Sequence, residues 1–214
     1  MKKESKDLIK IILLGETFTG KTCLINVYDK NIYNDKNEVT QTASFISKEV
    51  NTTKGNCYVK IWDTAGQEKF RCINKIFIKD TNIIIYVYDI TRKTTFEALK
   101  FWVNYAEKCI KRDEVVYGIV GNKIDLYDKK EQIKENDPKM EFELVNKNDA
   151  EEYAKSIQAS FIETSAKENA PGFSEFILGL IEEFQKKNKR IEKRNSFFLN
   201  NNIKNKKRKK KCCS

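Results

Sequence analysis

Histidine is missing from all 214 residues. Its absence excludes imidazole-based dyads and triads and removes the commonest nitrogen ligand of a zinc site. No apolar run reaches the ~20 residues that span a bilayer, and Met1 to Lys6 is too polar to open a secretory signal, so a cytosolic chain is expected. Cys23, Cys57, Cys72 and Cys109 are scattered without metal-ligand spacing, as reduced thiols would be. No internal repeat is visible, and 214 residues with 40% hydrophobic content suffice for one core plus extensions.

An even spread of charge is also lacking. The chain carries 41 Lys and Arg against 31 Asp and Glu, yet residues 186–214 alone hold thirteen basic residues and one Glu. The first 185 residues are left with 28 basic and 30 acidic side chains. A nucleic-acid reader normally places its positive face on the fold; here the excess sits in a tail, so no nucleic-acid partner is expected.

What is present begins with Gly15-Glu16-Thr17-Phe18-Thr19-Gly20-Lys21-Thr22, of the form G-x-x-x-x-G-K-S/T. It follows an apolar strand-like run, Leu8 to Leu14, and opens a segment able to start a helix. In that setting the backbone N–H groups of Thr17, Phe18, Thr19, Gly20 and onward to Cys23 cradle phosphate. Lys21 can reach the β and γ oxygens, and the Thr22 hydroxyl can ligate Mg²⁺. The chain is expected to hold a nucleotide.

Three further motifs choose the chemistry and the base. Trp62-Asp63-Thr64-Ala65-Gly66-Gln67-Glu68 follows the run Tyr58 to Trp62, so Asp63 falls at a strand end where a carboxylate can hold a Mg²⁺ water. The Gly66 N–H can sense a γ-phosphate, and the Gln67 amide can orient an attacking water. With Lys21, Gln67 is the candidate catalytic residue. Gly121-Asn122-Lys123-Ile124-Asp125 follows the run Val115 to Val120, and Asp125 can accept two N–H bonds that guanine offers and adenine does not. A base that leaves such a carboxylate unpaired is rejected by several kcal/mol. Glu163-Thr164-Ser165-Ala166-Lys167 follows Ser160 to Ile162; its Ala166 N–H can meet the guanine carbonyl, and the stems of Lys123 and Lys167 can flank the ring.

Taken together, Leu8 to about Phe184 resembles the Ras superfamily of small GTPases and, within it, the Rab family. Tyr86-Val87-Tyr88-Asp89-Ile90-Thr91 and the terminal Cys212-Cys213 add to that resemblance. Tyr33-Asn34-Asp35-Lys36 with Thr40-Gln41-Thr42-Ala43-Ser44-Phe45 looks closest to the endosomal branch, subfamily twenty-one and then five. The resemblance implies a switch that binds GTP or GDP with Mg²⁺, hydrolyses GTP and recruits effectors to an endosomal membrane in vesicle trafficking. It implies Thr40 as a Mg²⁺ ligand beside Thr22 and Asp63, Tyr33 against the guanine edge, and Phe45, Trp62 and Phe77 as the effector surface. Effectors, an exchange factor, a GAP, GDI and a Rab escort protein are the partners it implies.

Some residues depart from the family. Thr17 and Phe18 stand where small residues are usual, and Thr40-Gln41-Thr42 replaces Thr-Ile-Gly, which makes Thr42 a competing ligand. No arginine finger is evident in cis, so hydrolysis is expected to be slow alone. The alternative is a GTP-bound membrane scaffold that does not cycle. A basic-tailed protein with a P-loop ATPase core is disfavoured by Asn122 to Asp125.

Strand-like runs near Leu8, Ile46, Tyr58, Ile83, Val115 and Ser160 alternate with helical stretches near Lys21, Thr95, Asp149 and Phe173. This pattern predicts the α/β, P-loop NTPase small-GTPase fold: a six-stranded, mostly parallel sheet with helices on both faces. Phe45–Val50 and Tyr58–Trp62, joined through Thr52 to Asn56, predict a hairpin and hence one antiparallel edge strand. The expected domain covers 1–185, with a charged insertion near 127–148, and a disordered basic tail covers 186–214. Cys212 and Cys213 stand too near the end for a C-a-a-X box; the Rab resemblance implies geranylgeranyl groups on both.

Overall fold

A computed structural model describes residues 8–33, 40, 43–64, 77–127, 129, 142–168 and 171–189. Six strands form its sheet: β1 Leu8–Leu14, β2 Ser44–Thr52, β3 Gly55–Asp63, β4 Ile83–Asp89, β5 Val116–Asn122 and β6 Ser160–Glu163. The helices are α1 Lys21–Lys30, α2 Lys93–Glu97, α3 Leu99–Glu107, α4 Lys147–Ser156 and α5, residues 171–189. The strand order is β2-β3-β1-β4-β5-β6. Only β2 runs antiparallel to its neighbour; every other pair is parallel.

Parallel strands are buried on both faces, which is why β4 reads Ile-Ile-Ile-Tyr-Val-Tyr-Asp without alternation and is buried throughout. Alternate side chains still go to opposite cores. Ile9, Ile11 and Leu13 of β1, with Ile83, Ile85 and Val87 of β4, pack with Leu24 and Ile25 of α1 and with Phe173, Ile177 and Ile181 of α5. Ile12, Leu14, Ile84, Tyr86 and Tyr88 pack against Leu99, Trp102 and Ala106 of α3 and Ala150 and Ala154 of α4. Each fully buried aliphatic side chain contributes roughly 1.5–3 kcal/mol relative to exposure. The two cores therefore fix the sheet, and the sheet fixes what its carboxyl edge presents.

Two expected boundaries differ. The hairpin loop is shorter than the Thr52-to-Asn56 connection, because β2 and β3 stay paired out to Thr52 with Gly55. Only Thr53 and Lys54 turn the chain, and Gly55 takes the left-handed φ of 102° that closes it. The charged stretch expected as an insertion to residue 148 returns to the fold earlier. Phe142 and Val145 are buried, Glu143 bridges Arg92, and α4 begins at Lys147 under an Asn146 cap. Apolar side chains at 142 and 145, set among charges, bring the chain back; residues 130–141 lie outside the described residues.

Gly118 lets α5 approach β5. A Cβ there would stand 2.9 Å from Leu180 Cδ1 and 3.0 Å from two Phe176 ring atoms. Gly118→Val is expected to destabilise the domain by about 1–3 kcal/mol, as overpacking does. Urea unfolding of the nucleotide-loaded protein, with an unchanged slope, checks it.

Candidate nucleotide site

All the predicted nucleotide motifs within the described residues fall at the carboxyl edge of the sheet. β1 ends at Leu14, and Gly15 to Gly20 loop over into α1. A side chain at Gly15 would strike the Val87 carbonyl oxygen at 2.1 Å. Gly20 precedes α1 with φ 88°, and no side chain caps the helix, so its first-turn N–H groups are free to face an anion. Thr19 is fully buried, its hydroxyl donating to Glu16 O at 3.0 Å. Cys23 lies half-buried behind the loop.

Lys21 is buried, and its ammonium donates to the carbonyls of Gly15 (2.9 Å) and Glu16 (2.8 Å). Burial brings its pKa down to about 8, against the pull of Asp63 and Glu16. Beside it three oxygen-bearing side chains from separate segments converge. Thr22 donates to Asp63 Oδ2 at 2.7 Å, and the Thr22 and Thr40 hydroxyls are 2.7 Å apart. Because the Thr22 proton goes to Asp63, Thr40 is the donor in that second pair. Among the described residues Asp63 Oδ1 is buried without a partner, and burial raises the carboxyl above its usual range against the Thr22 bond and Lys21 charge. One carboxylate and two hydroxyls suit a hard cation that keeps other oxygens from water or phosphate, such as Mg²⁺. Among the described residues no cluster of three His, Cys, Asp or Glu competes with it.

The base motifs are knitted to the phosphate loop. Asn122, 1% exposed, donates to Thr19 O at 2.8 Å and accepts from the Ala166 N–H at 3.1 Å. Gly20 must be glycine partly for this reason, since a Cβ would lie 2.3 Å from the Asn122 amide nitrogen. Ser165 donates to Asp125 Oδ1 at 2.6 Å while its oxygen accepts from the N–H groups of Lys167 and Glu168. Lys123, at a left-handed φ of 74°, reaches back to within 2.7 Å of Asp89 Oδ2, an ion pair rather than an aligned hydrogen bond. Lys167 holds its ammonium 5.8 Å from the Tyr33 ring centroid. The two lysine stems are thus tethered at their tips by different partners.

Phe18 stands apart. It is 60% exposed and has φ 64°, a conformation that costs a bulky residue about 1–2 kcal/mol. Neighbouring contacts hold it there: Arg92 donates to Thr17 O at 3.2 Å, and Trp102 to Glu16 Oε1 at 3.0 Å. Nothing in the sequence marks Arg92 or Trp102 as part of the site, and Asp89 stands there only within the run Tyr86 to Thr91, without a role of its own. Asp89 alone left a signal, an acid closing an apolar strand two residues before Thr91, which donates to it twice.

Phe45, Trp62 and Phe77 form one stack, with ring centroids 4.9 Å and 4.8 Å apart. Thr42, Gly66, Gln67, Cys212 and Cys213 lie outside the described residues.

The sequence is also similar to known proteins. The sequence model of the Ras family matches residues 10–186. Ras-related protein Rab-21 of Canis lupus familiaris is 40% identical over 171 residues, 80% of this chain and 70% of that one. Rab-21 of Geodia cydonium is 37% identical over 179 residues, 84% and 72% of the two chains. RabJ of Dictyostelium discoideum is 33% identical over 189 residues, 88% and 66%.

Removing the Ser165 hydroxyl deprives Asp125 of its fixed donor. Ser165→Ala is expected to speed the dissociation of a guanine nucleotide by about tenfold or more, the value of one hydrogen bond to a charged group. Release of a fluorescent GDP analogue into excess unlabelled GDP checks it.

Proposed function

The chain belongs to the Ras family as a Rab-type small GTPase resembling Rab-21, a hydrolytic switch of vesicle trafficking, and from that premise we propose how its own residues run the switch. The observation that carries the reading is the meeting of Thr22, Thr40 and Asp63 beside Lys21. It joins the phosphate loop, the segment after Tyr33 and a strand end at the point where a terminal phosphate would lie.

In this reading Thr22, Thr40 and Asp63 hold Mg²⁺, which when bound neutralises charge on the β- and γ-phosphate oxygens. Lys21 and the first-turn N–H groups of α1 bind the phosphates. Asp125, steadied by Ser165, selects guanine through its two N–H groups, Ala166 meets the carbonyl, and Lys123 and Lys167 flank the ring with Tyr33 at its edge. Gly66 senses the γ-phosphate and Gln67 orients the attacking water. Losing the γ-phosphate releases Thr40 and Gly66, so segments 32–45 and 65–79 loosen. Phe45, Trp62 and Phe77 present the GTP-bound form to effectors.

The expected domain limit at residue 185 falls inside α5, which runs to residue 189 with Lys187 donating to Val115 O; the basic tail beyond it carries prenyl groups on Cys212 and Cys213. Each basic residue near anionic lipid contributes about 1 kcal/mol and each buried CH₂ roughly 0.8. Lipid and tail together give stable anchoring to the cytosolic face of an endosomal membrane, served by the exchange factor, GAP, GDI and escort protein of the family. Phe18, exposed at the mouth of the phosphate loop, stands in the way of an incoming arginine, and turnover alone is slow because no arginine finger is supplied in cis.

Gln67→Leu is expected to abolish single-turnover conversion of bound GTP to GDP, followed over hours by chromatography of extracted nucleotide; equal rates in variant and wild type would remove Gln67 from the mechanism. Changing Cys212 and Cys213 together to Ser is expected to release the protein from membranes to cytosol in a cell fractionation, and retention on membranes would count against lipid anchoring.

A further inference from the structure

At the pole of the sheet opposite the nucleotide motifs, β1 begins, the β2–β3 hairpin turns and α5 ends. A cavity of about 260 Å³ opens there, with Lys54, Asn56, Asn82, Gln185, Asn188 and Lys189 on its walls. Lys54 sits in the two-residue turn. Its stem is partly exposed, but its Nζ has no solvent contact and, among the described residues, no hydrogen-bond acceptor. Other lysines of this side do find acceptors: Lys10 on Lys79 O, Lys48 on Tyr28 O and Lys187 on Val115 O. The nearby carboxylate, Glu182, already accepts the Thr53 N–H at 3.1 Å. An ammonium shielded from water with no acceptor is costly. Among the described residues, the groups acting on it are Lys189 and Lys186 against Glu182, a balance short of negative charge.

We propose that this cavity binds the phosphomonoester of a phosphorylated lipid headgroup, with Lys54 and Lys189 supplying the charge and the side-chain amides of Asn82, Gln185 and Asn188 the remaining donors, the Asn56 amide already donating to Glu49 at 3.2 Å. Among the described residues, three ammonium groups, Lys54, Lys186 and Lys189, stand against two carboxylates that are both engaged, Glu182 by Thr53 and Glu49 by Asn56, a balance that suits a dianion better than a monoanion. The lipid source follows from place: α5 ends at this pole, and the chain continues from it into the basic run and the cysteine pair. Only the source rests on the membrane reading given above; the phosphate chemistry rests on the cavity. Burial, then repulsion by Lys189 and Lys186, holds the Lys54 ammonium below its ordinary value against the pull of Glu182, and a bound dianion reverses that. A filled site would hold the domain against the bilayer by this pole, its nucleotide edge turned to the cytosol.

The test uses the full-length GDP-loaded chain as wild type, Lys54→Gln and Lys189→Gln. Binding is measured to phosphatidylcholine vesicles containing either a phosphatidylinositol monophosphate or phosphatidylserine at matched charge. The tail contributes to both, so the ratio reads the cavity. The wild type is expected to prefer the phosphorylated headgroup, and each variant to lose about fivefold of that preference with GDP affinity unchanged. A ratio that is the same in all three proteins overturns the lipid source, and if calorimetry also shows no Lys54-dependent binding it overturns the cavity as well. Calorimetry with soluble inositol trisphosphate separates the sources: Lys54-dependent binding there, without a Lys54-dependent vesicle ratio, overturns the lipid source and supports the phosphate chemistry. If no vesicle binds, the tail reading fails and calorimetry decides alone, Lys54-dependent uptake supporting the cavity and its absence overturning it.

Discussion

The Asn122 carboxamide is the tie on which the site's geometry depends. Closing β5, it donates to the phosphate loop at Thr19 O and accepts from the base loop at the Ala166 N–H, while the backbone carbonyl of the same residue accepts from the Ile90 N–H. Three loops after three different strands are thereby held in one frame by one residue. Removing it would leave two buried backbone groups unsatisfied, each costing about 1–3 kcal/mol. Gly20 follows from the same tie, because any side chain there would occupy the amide's place.

The tie also explains how a phosphate loop with two bulky residues keeps its shape. Glycine takes a left-handed φ freely, whereas Phe18 does not. The loop is clamped at both flanks instead: Trp102 of α3 holds Glu16, Arg92 holds the Thr17 carbonyl, and Asn122 holds Thr19. Cost at one residue is offset by long-range contacts from its neighbours, a common arrangement at functional sites.

Much of this was legible beforehand, for reasons that also mark where legibility ended. Apolar runs such as Leu8–Leu14 and Ile83–Asp89 announce strands because parallel strands bury both faces, and Gly20-Lys21-Thr22 and Asn122 to Asp125 announce their loops through spacing. The hairpin looked looser than it is, since polar residues 51–56 resemble a loop until the register with β3 is known. The clamps on the phosphate loop were invisible because their partners lie 75 and 86 residues away. Return of the chain at Phe142 was likewise hidden, two apolar residues among charges being too few to show a period.

The aromatic stack has a consequence of its own. Phe45 and Trp62 are cross-strand partners in one hairpin, so their spacing is set by the ladder and hardly varies. Phe77 comes from a different stretch of chain and meets Trp62 only because Ile78 beside it is anchored in the second core. On the effector role proposed above, such a surface would act as a coincidence detector: a binder that needs all three rings would respond to the alignment of two segments, and neither segment alone would satisfy it.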